Sequence, residues 1–384
     1  MLIASNQSIA YNYPAKIRLF KARNKKRRAI NEQVMSEDYK NILITKPSSL
    51  GDIVLALPAL RTLRMSFPEA KISWLIRPEF APLIENHPHL DEIITFDRKL
   101  LGKAWFHPGA FGALMSLIRK LRRSKFDVIF DFQGLFRTAS LAWLSGCKLR
   151  FGMANARELA TFFYTHKIPQ NIECIHMVDY YLKIIRAAGA HDYGVDFVFP
   201  KNPGAEDSVC RLLASGGIKD HYAVFIPGSA HKDKCWPTER FARLAEMISS
   251  QYGLSIVATG SGSEAGIIDE LKAKANVPIG SLAGRTSLSE LVVLLGRAGL
   301  VVSNDTGPGH VAAALGVPLV LIFGRTNPAR LEPYHRRHCV MAIEPDGRGV
   351  SINNFDPRYD VKNITVEQVY QKAAGQLKLC VRSS

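Results

Sequence analysis

Short apolar runs alternate with longer amphipathic stretches along most of this chain. "NILIT", from residue 41, is a compact block of aliphatic and β-branched residues, and "IVLALPALRTLRMSF" repeats its apolar positions at helical spacing. "KISWLI" reads as a strand, "EFAPLIENH" as a helix and "EIITF" as a strand; the helix "FGALMSLIRKLRRSK", the strand "DVIFDF" and the helix "RTASLAWLSG" continue the series. Short strands alternating with helices predict parallel sheet built from βαβ units.

A Pro/Gly-rich break, "FPKNPGAED" at residues 199–207, interrupts the series and reads as a linker. The pattern then restarts. "YAVFIPG" is a strand ending in a turn, "ERFARLAEMISSQYG" a helix stopped by Gly253, "LSIVATG" a strand, and "AGIIDELKAKA" and "LSELVVLLGRAG" are helices. "LVVSND", "GHVAAALG" and "PLVLIFG" then form strand, helix and strand. The expected fold class is therefore α/β, with two doubly wound, Rossmann-like units facing across a cleft, at 41–203 and 204–350. A basic arm, 1–40, precedes them and a tail with one further helix, 351–384, follows. In such sheets ligands sit beyond the carboxyl ends of the strands, which directs the search to the loops after "NILIT", "YAVFI", "LSIVA" and "LVVSN".

Composition refines this picture. The chain has 384 residues, 47% of them hydrophobic, and no apolar run approaching the roughly 18 residues of a membrane span. In the first forty residues eight of nine bases crowd into 16–28, with no apolar region behind them to make a secretory signal. That arm reads as a solvated segment or as one that leans on an anionic membrane. Outside it, 41 Lys and Arg still face 31 Asp and Glu, a balance suited to a phosphorylated or polyanionic ligand. Six cysteines without paired spacing indicate neither a disulfide framework nor a zinc site, and point to a reducing cytoplasm.

Four loops carry candidate chemistry. In "NDTGPGHVAAALG", 304–316, a strand runs through Asp305, Thr306 and Gly307 into a helix beginning near His310. Glycine lets the backbone approach an anion, and the first helical turn offers unpaired N–H groups at the positive end of the dipole. The segment is a phosphate cradle or an ordinary capped turn, and it lacks the G-K-[ST] ending of a nucleotide hydrolase. "PGSAHKDKCWP", 227–237, places Ser229, Lys232 and Lys234 at the equivalent turn, where a lysine neutralises phosphate or is simply solvated; Trp236 is either packed or ligand-facing. "ATGSGSEAG", 258–266, spaces its glycines one residue too widely for a dinucleotide fingerprint, and its Glu264 is suited to ribose hydroxyls or to a helix start. In "SSLGD", Asp52 opens the first unit's first helix, as a cap or as a general base facing the cleft.

Taken together, "ILITKPSSLGDIVLALPAL", "FDVIFDFQGLFRTASLAWLSG", "HKDKCWP" and "NDTGPGHVAAALGVPLVLIFG" resemble the ADP-heptose:lipopolysaccharide heptosyltransferases, glycosyltransferase family 9, from about residue 41 to the 330s. The resemblance implies a GT-B fold and transfer of heptose from ADP-heptose to the lipopolysaccharide inner core, with inversion at the anomeric carbon. It implies that Asp52 is the catalytic base and that Ser229, Lys234, Glu264, Asp305, Thr306, Gly307 and His310 hold the donor. Arg157 and Arg137 fall in the acceptor region. No metal and no cofactor is implied, since lysine and a helix terminus supply the positive charge. The implied partners are the nucleotide sugar, a lipid-linked core oligosaccharide and the inner face of the cytoplasmic membrane. The resemblance also implies that the tail helix "TVEQVYQKAAGQLKL" crosses back to the first unit. The competing readings are a transferase with another donor or glycan acceptor, an NAD-dependent oxidoreductase, and a basic nucleic-acid-binding protein. The last lacks any recognisable reading motif, so no nucleic-acid partner is expected.

Overall fold

The computed structural model describes residues 38–102, 107–171, 175–218, 221–349 and 351–381; all but the end of the basic arm lies outside them. The first sheet contains β1 (Asn41–Thr45), β2 (Lys71–Ile76), β3 (Glu92–Thr95), β4 (Val128–Asp131), β5 (Leu149–Met153) and β6 (His166–Ile168). The helices of this unit are α1 (Leu50–Ser66), α2 (Pro108–Arg123), α3 (Phe136–Leu144) and α4 (Met177–Arg186), besides shorter turns. The second unit contains α5 (Pro203–Ser215), β7 (Tyr222–Ile226), α6 (Thr238–Tyr252), β8 (Ser255–Ala258), α7 (Ala265–Lys274), β9 (Ile279–Ser281), α8 (Leu288–Gly296), β10 (Leu300–Asn304), α9 (Gly307–Ala314), β11 (Leu319–Ile322), β12 (Val340–Met341) and α10 (Val366–Val381).

The strand orders are β3-β2-β1-β4-β5-β6 and β12-β11-β10-β7-β8-β9. Numbered within its own unit, the second order is the first one reversed, so both sheets share the doubly wound topology. Every strand pair within the two sheets is parallel. The order reverses between β1 and β4 in one unit and between β7 and β10 in the other, and those switch points are where such sheets open a crevice for ligand.

The central strands are apolar because both faces are covered. Ile42 and Ile44 of β1 point into a cluster shared with α1 and α4, while Leu43 points into another with Leu117 and Leu121 of α2 and Leu141 of α3. The same alternation separates Val224 from Phe225 in β7. One cluster runs from Ile42 of the first unit to Val224 of the second, so the units share buried surface. Within it α1 packs on both α4 and α9.

Three expectations change. "EFAPLIENH" forms only a 3-10 turn, Pro78–Leu83, because Pro82 removes a backbone donor inside it. The 199–207 break is partly helical: Asn202 caps α5 by accepting from the Ala205 N–H at 3.1 Å, with Pro203 in the first turn. The closing helix stays with the second unit, since α10 packs on α6, β10 and β11 and buries Val369 and Ala373 in that unit's core. The apolar positions Val369 and Ala373 of α10 are thus spent on the surface between α6 and the sheet.

Candidate active site

A buried lysine follows β1 directly. Lys46 is only 4% exposed, donates to the Phe132 carbonyl at 3.3 Å and lies over the Tyr181 ring. Burial lowers its pKa, against the pull of Asp52 and Asp131. Three residues on, Ser49 is the N-cap of α1 and Asp52 sits in the first turn. Asp52 Oδ2 accepts from Ser49 N at 3.2 Å and Ser49 Oγ at 2.8 Å, and lies 3.7 Å from Lys46 Nζ. The cap reading holds, since Oδ2 is tied to the helix start, and Oδ1 carries none of these bonds. Burial works to raise the Asp52 pKa, but Lys46, the Ser49 bonds and His310 outweigh it and hold the carboxyl below its ordinary range.

At the second unit's switch point, Asn304 at the end of β10 accepts from Trp236 N at 3.0 Å and donates to the Pro227 carbonyl at 2.8 Å. That side chain fastens the loop after β7 to the loop after β10. It sets Lys234 Nζ 2.6 Å from Asp305 Oδ2, while His310 Nε2 stands 3.2 Å from Asp305 Oδ1. Asp305 is buried, yet His310 and Lys234 more than offset the burial and hold its carboxyl far below the usual aspartate value. Thr306 is the N-cap of α9 and makes no side-chain capping bond, which leaves the first-turn N–H groups without that partner.

Glu264 follows β8. Its Oε2 accepts from Ser261 N and Ser261 Oγ, both at 2.7 Å. A Cβ at Gly228 would stand 2.1 Å from Glu264 Oε1, so a larger residue there would displace that carboxylate.

These groups meet in two connected cavities. One, of about 540 Å³, holds Asp52, Lys46, Arg157, His310 and Arg330; the other, of about 660 Å³, holds Ser229, Glu264, Thr259 and Phe80. Ser49, His231, Lys234, Asp305, Thr306 and Gly307 line both. Across the seam the backbone is tight: a Cβ on Gly51 would lie 2.7 Å from His310 Cδ2, and one on Gly307 would lie 2.7 Å from Leu50 Cβ.

The structure therefore brings together Asp52, Ser229, Lys234, Glu264, Asp305, Thr306, Gly307, His310 and Arg157. Arg137 is not among them; it is exposed on the first turn of α3 and lines neither cavity. Trp236 is packed rather than ligand-facing, with its indole N–H donating to the Ile364 carbonyl at 2.8 Å. Sequence reasoning passed over Lys46, Asn304, His231 and Arg330. A lysine closing a buried strand just before the acid was the available signal for Lys46. Arg330, in the 328–331 turn after β11, had none, because only the tertiary fold carries it to the first unit's side of the cleft.

Among the described residues no group of three or more His, Cys, Asp or Glu side chains is set to hold a metal. Chemically, the seam offers one carboxylate with an uncommitted oxygen opposite a lysine and a helix start. That set can take a proton on one side and stabilise departing anionic charge on the other.

The glycosyltransferase family 9 (heptosyltransferase) model matches residues 114–351. Lipopolysaccharide heptosyltransferase 3 of Escherichia coli strain K12 is 27% identical over 290 residues, which is 74% of this chain and 82% of that protein. The solved glycosyl transferase family 9 structure from Veillonella parvula superposes with a TM-score of 0.76 at 25% identity, over 89% of this chain and 98% of that one. E. coli heptosyltransferase WaaC with ADP-2-deoxy-2-fluoro heptose gives 0.65 at 25% identity, over 87% and 99%.

Proposed function

Since the chain belongs to glycosyltransferase family 9 and is a glycosyltransferase of GT-B fold, we propose that it moves heptose from ADP-heptose to the inner core of lipopolysaccharide. The unit at 41–203 takes the acceptor and the unit at 204–350 takes the nucleotide sugar. The observation that carries this reading is the continuous cavity in which Asp52 of one unit stands across from Lys234, Thr306 and the start of α9 in the other.

Asp52 Oδ1 accepts the proton of an acceptor hydroxyl as that oxygen bonds the anomeric carbon. The bond from that carbon to the β-phosphate oxygen breaks, ADP leaves with the electron pair, and the configuration inverts. Lys234, the Thr306 hydroxyl and the first N–H groups of α9 face the diphosphate, where negative charge gathers. Glu264 holds the ribose hydroxyls, with Ser229 beside it. Arg157 takes an acidic group of the acceptor, and the lipid-linked acceptor places the enzyme at the anionic inner face of the cytoplasmic membrane. Among the described residues no helix is long and apolar enough to cross a membrane.

The test is turnover of a panel of nucleotide sugars against defined lipid A-core acceptors. ADP-heptose should be consumed with release of ADP. A different nucleotide sugar turning over faster would replace the donor, and turnover of none would remove the reading.

A further inference from the structure

The first unit exposes an aromatic surface that its fold does not use. Phe136 and Trp143 lie seven residues apart on the outer stripe of α3 and are 48% and 54% exposed. They flank Phe163, with ring centroids 5.4 and 6.0 Å away. From the same turn project Leu159, 68% exposed, and Phe162, 77% exposed. The backbone reaches this arrangement through two left-handed residues, Glu158 at φ 55° and Leu159 at φ 61°. For non-glycine residues that conformation is costly, and here it holds an apolar side chain in water.

Around this surface Arg137, Lys148, Arg157 and Lys167 are exposed, and none is in an ion pair among the described residues. Glu158 is the only acid in 136–168. Aromatic side chains ringed by uncommitted bases match the interfacial region of an anionic bilayer, where rings settle at headgroup depth and bases meet lipid phosphates. The surface is also continuous with the site: the Arg157 N–H donates to the Gly134 carbonyl at 3.0 Å, and both residues line the cavity that holds Asp52.

We propose that this face, formed by Phe136, Trp143, Leu159 and Phe162, docks on an anionic lipid bilayer and sets the mouth of the Asp52 cavity against the headgroups. The inference rests on the reading that the acceptor is membrane-linked, and it assigns the contact to the folded first unit rather than to the arm. It also gives Arg137 a role outside the cavity, as a lipid-phosphate contact.

The full chain is tested by co-sedimentation with vesicles of phosphatidylethanolamine and phosphatidylglycerol, against neutral phosphatidylcholine vesicles. The Leu159→Ser/Phe162→Ser variant should lose about tenfold in partitioning for each side chain while keeping transfer to a soluble acceptor. Trp143 supplies a second readout in a Trp105→Phe background, because the remaining tryptophans, Trp74 and Trp236, are buried. Tryptophan emission should shift to the blue on anionic vesicles and be quenched by brominated lipid, and Trp143→Phe should remove that response. Unchanged partitioning of the double variant would overturn the proposal. If deletion of 1–40 alone abolished binding, the membrane reading would stand and this face would fall. No binding by the intact chain would overturn both. Loss of self-association in the variant with vesicle binding intact would assign the face to a second copy.

Discussion

Two lysine–aspartate pairs face each other across the cleft, and their burial is inverted. In the first unit the lysine is buried and the acid is presented: the Lys46 and Asp52 side chains are 5% and 33% exposed. In the second the acid is buried and the lysine is presented: the Lys234 and Asp305 side chains are 24% and 3% exposed. The distances follow the same logic. Asp305 grips Lys234 at 2.6 Å with His310 on its other oxygen, whereas Lys46 stands back at 3.7 Å and leaves Asp52 Oδ1 free. The buried partner of each pair is a fixture that orients the other. One ion pair presents a carboxylate at the seam and the other presents a cation, which is the division of labour that the proposed transfer to a hydroxyl requires.

Removing the presented acid should break the comparison most severely. Asp52→Asn is expected to lower transfer by about 10³-fold while ADP affinity, measured by calorimetry, stays within about twofold, because the donor loops are untouched. Near-normal turnover would reduce Asp52 to a helix cap. Removing the presented cation comes next: Lys234→Met should cost about 10²-fold in kcat and lower the melting temperature, since buried Asp305 loses a partner.

Changing a fixture should alter tuning rather than chemistry. Lys46 helps hold the Asp52 pKa down, and in the proposed mechanism the ionised acid is the active form, so activity should be present above that pKa and lost as pH falls through it. Lys46→Met removes the depression, and the acidic limb of the kcat/KM profile should move to higher pH, with a loss at neutral pH of about tenfold or less. A limb that stays in place would show that Lys46 is structural only. The smallest expected effect is that of Gly307→Ala, whose Cβ would meet Leu50 Cβ at 2.7 Å. A shift of a few tenths of an ångström at the seam should raise KM for both substrates about threefold, with circular dichroism unchanged.

Which parts of this were legible in the sequence follows from how local each signal is. β1, β7 and β10 are apolar on both faces and end in Gly-, Ser- or Asp-bearing turns, so their loops, and with them Asp52, Lys234 and Asp305, were readable. β5, β6, β9 and β12 are short strands toward the sheet edges, and "LRFGM" and "HKI" mix charge and glycine with apolar residues; nothing in such runs separates strand from loop. Helix α4 buries one amphipathic face on α1 but follows no turn signal that would have marked its start. The seat of α10 and the burial of Lys46 depend on distant partners, α6 and the Phe132 carbonyl, and neither choice is written locally. Arg137 rests on the family resemblance alone, and a matching motif does not tell which side of α3 faces the cavity.

The bare α-carbons of Gly51 and Gly307 act as shims. They let the beginnings of α1 and α9 abut, where any larger residue would hold the two halves ajar. Abutting helix beginnings put two partial positive poles side by side. α1 answers its own pole with Asp52 in its first turn, while the first turn of α9 has no acid. One pole is thus quenched from within and the other stays open towards the gap, where its sign favours an anionic group before any side chain reaches out to grasp it.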